Sequence, residues 1–187
     1  MVRLFSSFLF VILCFVFCFP AQALQNEQVL AVSNFYKTIL TFQDGGVPSR
    51  KKIDRLSPFL SADFRNLLLG ARDAEDKNFQ KTKGTEPPLV EGRLFYSFFE
   101  GADKYTAMKF EPSKKHVSYL IKLEYRDPYG KHEIVKWQDR VILIKENNRW
   151  VVHDLELLGK WQFGDKGKLS DILRGVIKEG KDANPSK

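Results

Sequence analysis

The stretch WQDRVILIKENNRWVVHDLEL, Trp137–Leu157, decides the fold class because it has the pattern of two strands joined by a tight reversal. Apolar residues dominate both halves, and Asn147-Asn148 lies between them. Asn tolerates the positive φ that a two-residue hairpin loop requires. Such a loop pairs Glu146 with Arg149. The stretch therefore predicts an antiparallel hairpin with strands over about 133–146 and 149–158.

The predicted register also assigns a face to each side chain of the hairpin. It places Asp139 opposite Glu156, Val141 opposite Asp154, and Trp137 opposite Leu158. One face would then pack on helices and hold Ile142, Ile144, Val151, Leu155 and Leu157, with Arg140 and His153 among them. The other face would hold Trp137, Asp139, Trp150, Asp154 and Glu156.

Three carboxylates on one face make this hairpin the candidate functional site. Opposed like charges destabilise a sheet, and water, a cation or a retained proton relieves them. The alternative is an exposed face whose acids pair with Lys122, Arg126 or Lys136, and a one-residue slip in register would disperse the cluster. The candidate ligand-binding residues are Trp137, Asp139, Trp150, His153, Asp154 and Glu156.

The residues before the hairpin predict one more strand and a turn. Val117, Tyr119, Ile121, Leu123 and Tyr125 alternate with mostly polar neighbours, which is typical of a half-buried strand. Asp127-Pro128-Tyr129-Gly130 has the composition of a β-turn. Residues 94–110 allow two interpretations, a short hairpin around Gly101-Ala102-Asp103 or a packed loop followed by one strand.

Helical periodicity occupies the two ends of the chain. It predicts one helix over 27–42 and another over about 52–79, broken near Ser61, which would cap a segment that turns Phe64, Leu67, Leu68 and Ala71 inward. Residues 80–92 read as a loop. A last helix begins near Leu169 and ends at Gly180. Helices, an antiparallel sheet and a final helix predict a single α+β domain over 24–180, followed by a disordered tail, 181–187.

Taken in order, these motifs resemble an exported bacterial family, number 3828 among the catalogued domains of unknown function. The likeness rests on Ser33–Tyr36, Leu56–Ser61, Glu91–Phe95 with Phe99–Gly101, the hairpin itself, and GKLSDIL from Gly167. Asn148 stands where such hairpins more often have Gly. The resemblance implies an NTF2-like or cystatin-like cone, in which a curved sheet wraps helices and leaves a cup, and a periplasmic setting. It implies no catalytic residues.

The first 23 residues predict a cleavable signal peptide. Arg3 precedes an uncharged, phenylalanine-rich run from Leu4 to Phe19, and Ala21-Gln22-Ala23 has the small-x-small pattern that signal peptidase recognises. Cleavage between Ala23 and Leu24 would give a periplasmic or secreted protein without a stable membrane anchor; an uncleaved anchor is the alternative. Both cysteines, Cys14 and Cys18, would leave with the segment, which excludes disulfides and thiol chemistry in the remainder.

The remaining composition limits the chemistry further. Loss of Arg3 lowers the net charge from +7 to +6, and the basic residues are dispersed, which favours solubility over binding of anionic surfaces. The three histidines, His116, His132 and His153, have no metal-ligand spacing, and there is no Gly-x-Ser-x-Gly motif. The sequence therefore predicts no metal, cofactor or nucleic-acid partner. Aromatic side chains are core candidates at Phe35, Phe64 and Tyr119, and core or pocket candidates at Tyr36, Phe95 and Trp161.

These observations favour a non-enzymatic domain that binds a small ligand or a protein, and a homodimer is compatible with them. The first alternative is a small acid–base enzyme, a hydrolase or isomerase, built in the cup around Asp139, Asp154 or His153. The second is electrostatic binding of envelope polyanions through basic loops.

Overall fold

The computed structural model describes residues 19–112, 116–130, 133–162 and 164–182. Within these ranges, three helices precede a five-stranded antiparallel sheet, and a fourth helix follows it. Most of the predicted signal peptide and its two cysteines lie outside the described residues, as do residues 183–187 of the predicted tail. The order of elements confirms the predicted α+β class: α1 Phe19–Ile39, α2 Arg50–Leu56, a 3-10 turn Ser57–Phe59, α3 Ala62–Thr82, β1 Lys104–Pro112, β2 Val117–Arg126, β3 Ile134–Glu146, β4 Arg149–Leu157, β5 Gly167–Lys168, and α4 Leu169–Asp182.

The N-terminal helices follow their predicted periodicity, with shifted ends. Helix α1 begins before the predicted start, crosses the Ala23–Leu24 bond, and ends at Ile39 instead of Phe42. The second helical stretch is interrupted by the 3-10 turn that contains Pro58. The Ser61 side chain then accepts a hydrogen bond from the backbone N–H of Phe64, at 3.2 Å, and so caps α3 as expected. No helix among the described residues is long and apolar enough to cross a membrane.

The five strands pair in chain order, β1-β2-β3-β4-β5. Residues 94–110 therefore follow the second of the two interpretations, because a loop leads into the single strand β1. Strand β5 has only two residues and was not predicted. Helix α4 continues two residues past Gly180, which was expected to end it. Gly180 is instead a contact residue, since a Cβ there would lie 2.8 Å from the Cα of Ala74 in α3.

The predicted hairpin loop is confirmed. The predicted register between β3 and β4 is correct for the residue pairs next to the loop and wrong farther from it. Asn147 and Asn148 have φ of 49° and 62°, as the two-residue loop requires. The expected pairing holds from Glu146 opposite Arg149 to Leu143 opposite Val152, after which Ile142 pairs with Asp154. His153 is thus an extra residue in β4, a β-bulge. The capped end of α3 binds at the bulge, where the Ser61 N–H donates to the Val152 carbonyl at 2.9 Å.

The assignment of the core face was also wrong. The helices pack on the β3 face that carries Trp137, Asp139, Val141 and Leu143, and all four side chains are buried. Leu155 and Leu157 reach this same face because the bulge shifts β4 by one residue, whereas Ile142, Ile144 and Arg140 lie on the other face. The centre of the expected cup is filled with aromatic side chains, namely Phe35, Tyr36, Phe64, Phe95 and Tyr119. Trp161 is half-buried.

Candidate functional site

Asp139 is fully buried and serves as the acceptor in a clamp of four hydrogen bonds. Its Oδ1 accepts from the Ser97 hydroxyl at 2.7 Å and the Leu158 N–H at 2.9 Å. Its Oδ2 accepts from the Ser97 N–H at 3.1 Å and the Trp137 indole N–H at 2.9 Å. Burial raises the pKa of the Asp139 carboxyl, whereas the hydrogen bonds act in the opposite direction. Both oxygens are thus occupied by protein donors, which is typical of a structural carboxylate.

The other predicted site residues do not gather around Asp139. Asp154 is one residue out of phase with it and accepts from the Ser170 N–H at 3.0 Å and the Ser170 hydroxyl at 2.8 Å, at the start of α4. Glu156 pairs with Arg140, which also binds Glu111 at 2.7 Å. The prediction that the three carboxylates share one face is therefore wrong, because of the bulge at His153.

The remaining three candidates have separate surroundings. The Trp137 ring is buried against the rings of Phe98 and Trp161, with centroid distances of 5.3 and 5.6 Å. Trp150 is half-buried, and its indole N–H has no hydrogen-bond partner among the described residues. The His153 Nδ1 lies 3.0 Å from the Ser61 hydroxyl oxygen, beside a shallow cavity of about 380 Å³. The polar groups of Ser170 and Arg174, which also line that cavity, already bind Asp154 and Asp171.

A second cavity forms along the long loop between α3 and β1, residues 83–103. Three contacts fix this loop on the domain. The Leu89 N–H donates to the buried Glu75 carboxylate at 2.9 Å, the Gly92 carbonyl accepts from the Gly46 N–H at 2.7 Å, and Ser97 is held by Asp139. A long loop without regular structure that is nevertheless fixed in this way is more often functional than a mere connection.

The segment after β4 supplies the opposite wall of this cavity. It lies so close to the loop that a Cβ at Gly164 would be 2.2 Å from the carbonyl oxygen of Ser97, which only glycine permits. This approach places Asp165 beside the loop. We call the resulting space of about 210 Å³ the loop cavity. Its apolar lining comes from Leu89, Val90, Phe99 and Ile172, and its polar lining from Glu91, Arg93, Tyr96 and Asp165.

Two polar groups of the loop cavity have no protein partner among the described residues. Tyr96 is only 3% exposed, and its hydroxyl makes no hydrogen bond. Asp165 is half-buried and makes neither a hydrogen bond nor an ion pair. Burial raises the pKa of both groups. At Tyr96 the charge of Arg93 opposes this rise in pKa, and the charge of Asp139 adds to it. Polar groups left unpaired in a concave site with shifted pKa values mark a binding-site candidate.

No motif in the sequence predicts the loop cavity. Glu91 and Arg93 were noted only for the family resemblance, and Tyr96 and Asp165 belong to no motif. Their meeting depends on two segments more than sixty residues apart in the chain, which no periodicity reports. The glycine at position 164 is the one signal that the sequence offers, since glycine often marks a close approach of two backbones.

Other chemistry finds little support in the described part of the chain. No group of three or more His, Cys, Asp or Glu side chains there is arranged to hold a metal ion. Ser97, the serine closest to a buried carboxylate, donates its hydroxyl to Asp139 and has no histidine partner among the described residues. A nucleophilic serine requires a base that takes its proton during attack, so Ser97 fits the structural clamp better.

The basic residues are less dispersed in the fold than along the chain. The register brings Lys104, Lys109, Lys122 and Lys136 to the outer face of β1–β3. Glu124 lies between two of them, 3.2 Å from the Lys104 Nζ and 3.5 Å from the Lys136 Nζ. Lysines on edge and outer strands also prevent association of sheets, so the polyanion alternative stays a prediction.

No protein-family model matches this sequence, and no curated protein is significantly similar to it. The resemblance to family 3828 and to the NTF2-like group thus stays a prediction.

Proposed function

We propose that this protein is an exported, non-enzymatic domain that binds a small, partly apolar molecule in the loop cavity. The observation that carries the proposal is the pair of unpartnered polar residues, Tyr96 and Asp165, in a cavity whose lining is partly apolar. Small-molecule sites are typically concave and mostly apolar, with a few polar groups that fix the orientation of the ligand.

The rest of the interior supports the same location. The space between the helices and the sheet is filled by large side chains such as Phe35, Tyr36 and Phe64, all of them fully buried. The buried acid Asp139 is saturated by protein donors. A ligand would therefore bind beside the loop of residues 83–103. It would not bind between α1 and the sheet, where the predicted cup would have placed it.

Two sequence expectations belong to the proposal. The signal-peptide pattern of residues 1–23 supports export, with Leu24 as the first residue of the mature chain. The order of motifs supports membership of family 3828 and an NTF2-like or cystatin-like fold. The α+β architecture is compatible with this fold but does not by itself identify it.

The acid–base enzyme alternative loses its predicted site but keeps one carboxyl. That alternative requires a buried carboxyl group with a raised pKa in a concave pocket. Asp139 is buried but does not line the loop cavity, and the other carboxyl that lines it with Asp165, that of Glu91, is exposed. General acid–base chemistry in a single pocket usually has a positioned pair of groups, so binding is the better supported function.

Amide NMR with hexanol as the probe tests the proposal. The full chain is expressed in a bacterial host that exports it, and the purified protein is used without further processing. Sequencing its N-terminus shows whether the mature chain begins at Leu24. We expect the amide signals of Val90, Gly164 and Ile172 to shift on addition of hexanol. In the variant Ile172→Trp the larger ring fills the loop cavity, and these shifts should disappear.

The matched control is Leu30→Trp, which adds the same ring at an exposed position of α1, 58% accessible. This variant should respond as the wild type does. An unchanged response in Ile172→Trp would contradict the proposal. So would the absence of a localised shift in the wild type both with hexanol and with its charged analogues, hexylamine and hexanoate.

A further inference from the structure

The charges around the loop cavity restrict the kind of molecule that it accepts. Two carboxylates, Glu91 and Asp165, and one guanidinium, Arg93, belong to its lining. The Arg93 guanidinium is held elsewhere, because it donates to the Phe42 carbonyl at 3.2 Å and to the Gln43 amide oxygen at 3.0 Å. These acceptors are neutral, so the guanidinium keeps its positive charge, which also acts on the Tyr96 hydroxyl. Its N–H donors are nevertheless engaged by the loop after α1, and the two carboxylates leave the lining with a net charge of −1.

Asp165 is the group with the most to gain from a ligand. It has lost part of its hydration through burial, and no donor among the described residues replaces it. A buried carboxylate is stabilised by a cation or by charge-assisted hydrogen bonds. Asp139 shows the contrast within the same molecule, since four protein donors compensate its burial.

Tyr96 also lines the cavity and offers a second polar group, a hydroxyl whose oxygen is closed off from solvent. It is buried without a partner, and a hydroxyl both donates and accepts hydrogen bonds. An ammonium group offers three N–H donors, enough for a carboxylate and a phenolic oxygen together. Carboxylate-bearing ligands, by contrast, would bring a negative charge beside Asp165 and Glu91.

The apolar lining and the volume define the rest of the ligand. Leu89, Val90, Phe99 and Ile172 offer aliphatic and aromatic surface. The cavity volume of about 210 Å³ is of the size that suits an alkyl chain or a single ring.

We infer that the loop cavity selects a primary amine attached to a small apolar group, with the Asp165 carboxylate as counter-ion and the Tyr96 hydroxyl as a second contact. This inference rests on the proposed function, because it names the ligand class of the same site. It adds a charge preference that small-molecule binding alone does not require.

The test compares three probes with the same apolar chain, namely hexylamine, hexanol and hexanoate, at pH 7 by amide NMR titration. We expect hexylamine to bind about tenfold more tightly than hexanol, as a charge-assisted hydrogen bond contributes about 1.5 kcal/mol or more. Hexanoate should bind more weakly than hexanol. All three should shift the same amides, those of Val90, Gly164 and Ile172.

Variants assign the preference to the two side chains. Asp165→Asn keeps the shape of the side chain and removes its charge, so hexylamine should bind no better than hexanol. Glu179→Gln removes one exposed carboxylate elsewhere on α4 and should keep the tenfold preference. Tyr96→Phe should weaken hexylamine binding severalfold.

Each outcome separates the two proposals. Equal binding of the three probes at the loop cavity would overturn the amine inference and leave the proposed function standing. Tighter binding of hexanoate would overturn it as well, and so would an amine preference that survives in Asp165→Asn. Failure of all three probes to bind would overturn the proposed function itself.

Discussion

Asp139 and Asp165 are two carboxyl groups whose pKa burial raises, and they lie in opposite surroundings. Asp139 is at the centre of the sheet, and four donors from the loop, from β3 and from the segment after β4 bind its two oxygens. Asp165 lies at the edge of the loop cavity, and no described group binds it. A raised pKa alone therefore does not distinguish the two carboxyls; their hydrogen-bond partners do.

The difference teaches how the domain divides its polar groups. At Asp139, four donors and the two carboxylate oxygens satisfy one another, so this network holds the long loop against the sheet and leaves the carboxylate without a free acceptor for a ligand. Around Asp165, the protein leaves polar groups incomplete, which costs stability unless a ligand supplies the missing contacts. Such incompleteness is common at functional sites.

The largest effect is expected at Asp139. Asp139→Ala leaves the Trp137 indole N–H and the N–H groups of Ser97 and Leu158 buried without an acceptor, and should lower the free energy of unfolding by about 4 kcal/mol. Ser97→Ala removes one hydroxyl donor and should lower it by about 1–2 kcal/mol. Urea unfolding followed by tryptophan fluorescence measures both.

The matched control is Asp165→Ala, which should change the free energy of unfolding by less than about 0.5 kcal/mol. Equal losses of stability at Asp139 and Asp165 would show that the two carboxyl groups do not differ in their hydrogen-bond partners.

A smaller effect of opposite sign is expected at Tyr96. The variant Tyr96→Phe removes a buried hydroxyl without a partner and should raise the free energy of unfolding by up to about 1 kcal/mol. Tyr119→Phe is the matched control, because the Tyr119 hydroxyl donates to the Gln28 side-chain oxygen at 3.0 Å. That variant should be less stable than the wild type by about 1 kcal/mol. Destabilisation of Tyr96→Phe to the same extent would show that its hydroxyl is already satisfied.

The smallest effect is a change in pH dependence at Asp165. Because its pKa is higher in the folded protein than the ordinary value of 3.8, the folded state holds the proton more tightly. Asp165 therefore lowers stability progressively as the pH rises from about 3.8 through its folded pKa, and has no such effect below that window. Asp139 acts in the same direction, so it also contributes to the wild-type profile.

Urea unfolding of Asp165→Asn and the wild type from pH 3 to pH 7 isolates the Asp165 part. The variant should match the wild type at pH 3 and become relatively more stable toward pH 7. Glu179→Gln, which removes an exposed carboxylate, should give no such trend. A variant that loses stability relative to the wild type as the pH rises would mean that Asp165 has an attractive partner in the folded protein.

Local features of the fold could be predicted from the sequence because their causes are local. Asn147-Asn148 forms its loop through backbone conformations that asparagine tolerates, and Ser61 caps α3 through a hydrogen bond within four residues. The alternation in 117–125 and the helical periodicity of α3 depend only on burying one face of an element. These signals were enough for the α+β class and for the order of most elements.

The site predicted on the hairpin was wrong because one residue of register decides which carboxylates share a face. The pattern of Trp137–Leu157 fits either face of the hairpin, and the bulge at His153 forms where the capped end of α3 reaches the Val152 carbonyl, a contact between distant segments. A one-residue shift moves every side chain beyond it to the other face. Asp139 and Asp154 were separated by this shift, and Asp139 entered the core.

By itself, then, the sequence determined the hairpin, its loop, the capped helix and the class of fold, since turn chemistry and hydrophobic periodicity act between residues close in the chain. Only the tertiary structure decided which carboxyl is saturated and which is free. Saturation of Asp139 needs donors from Ser97 and Leu158, and the loop cavity needs Gly164 against Ser97. Each of these contacts exists only after distant segments have packed together, so their consequences for Asp165 could not be derived from the order of residues.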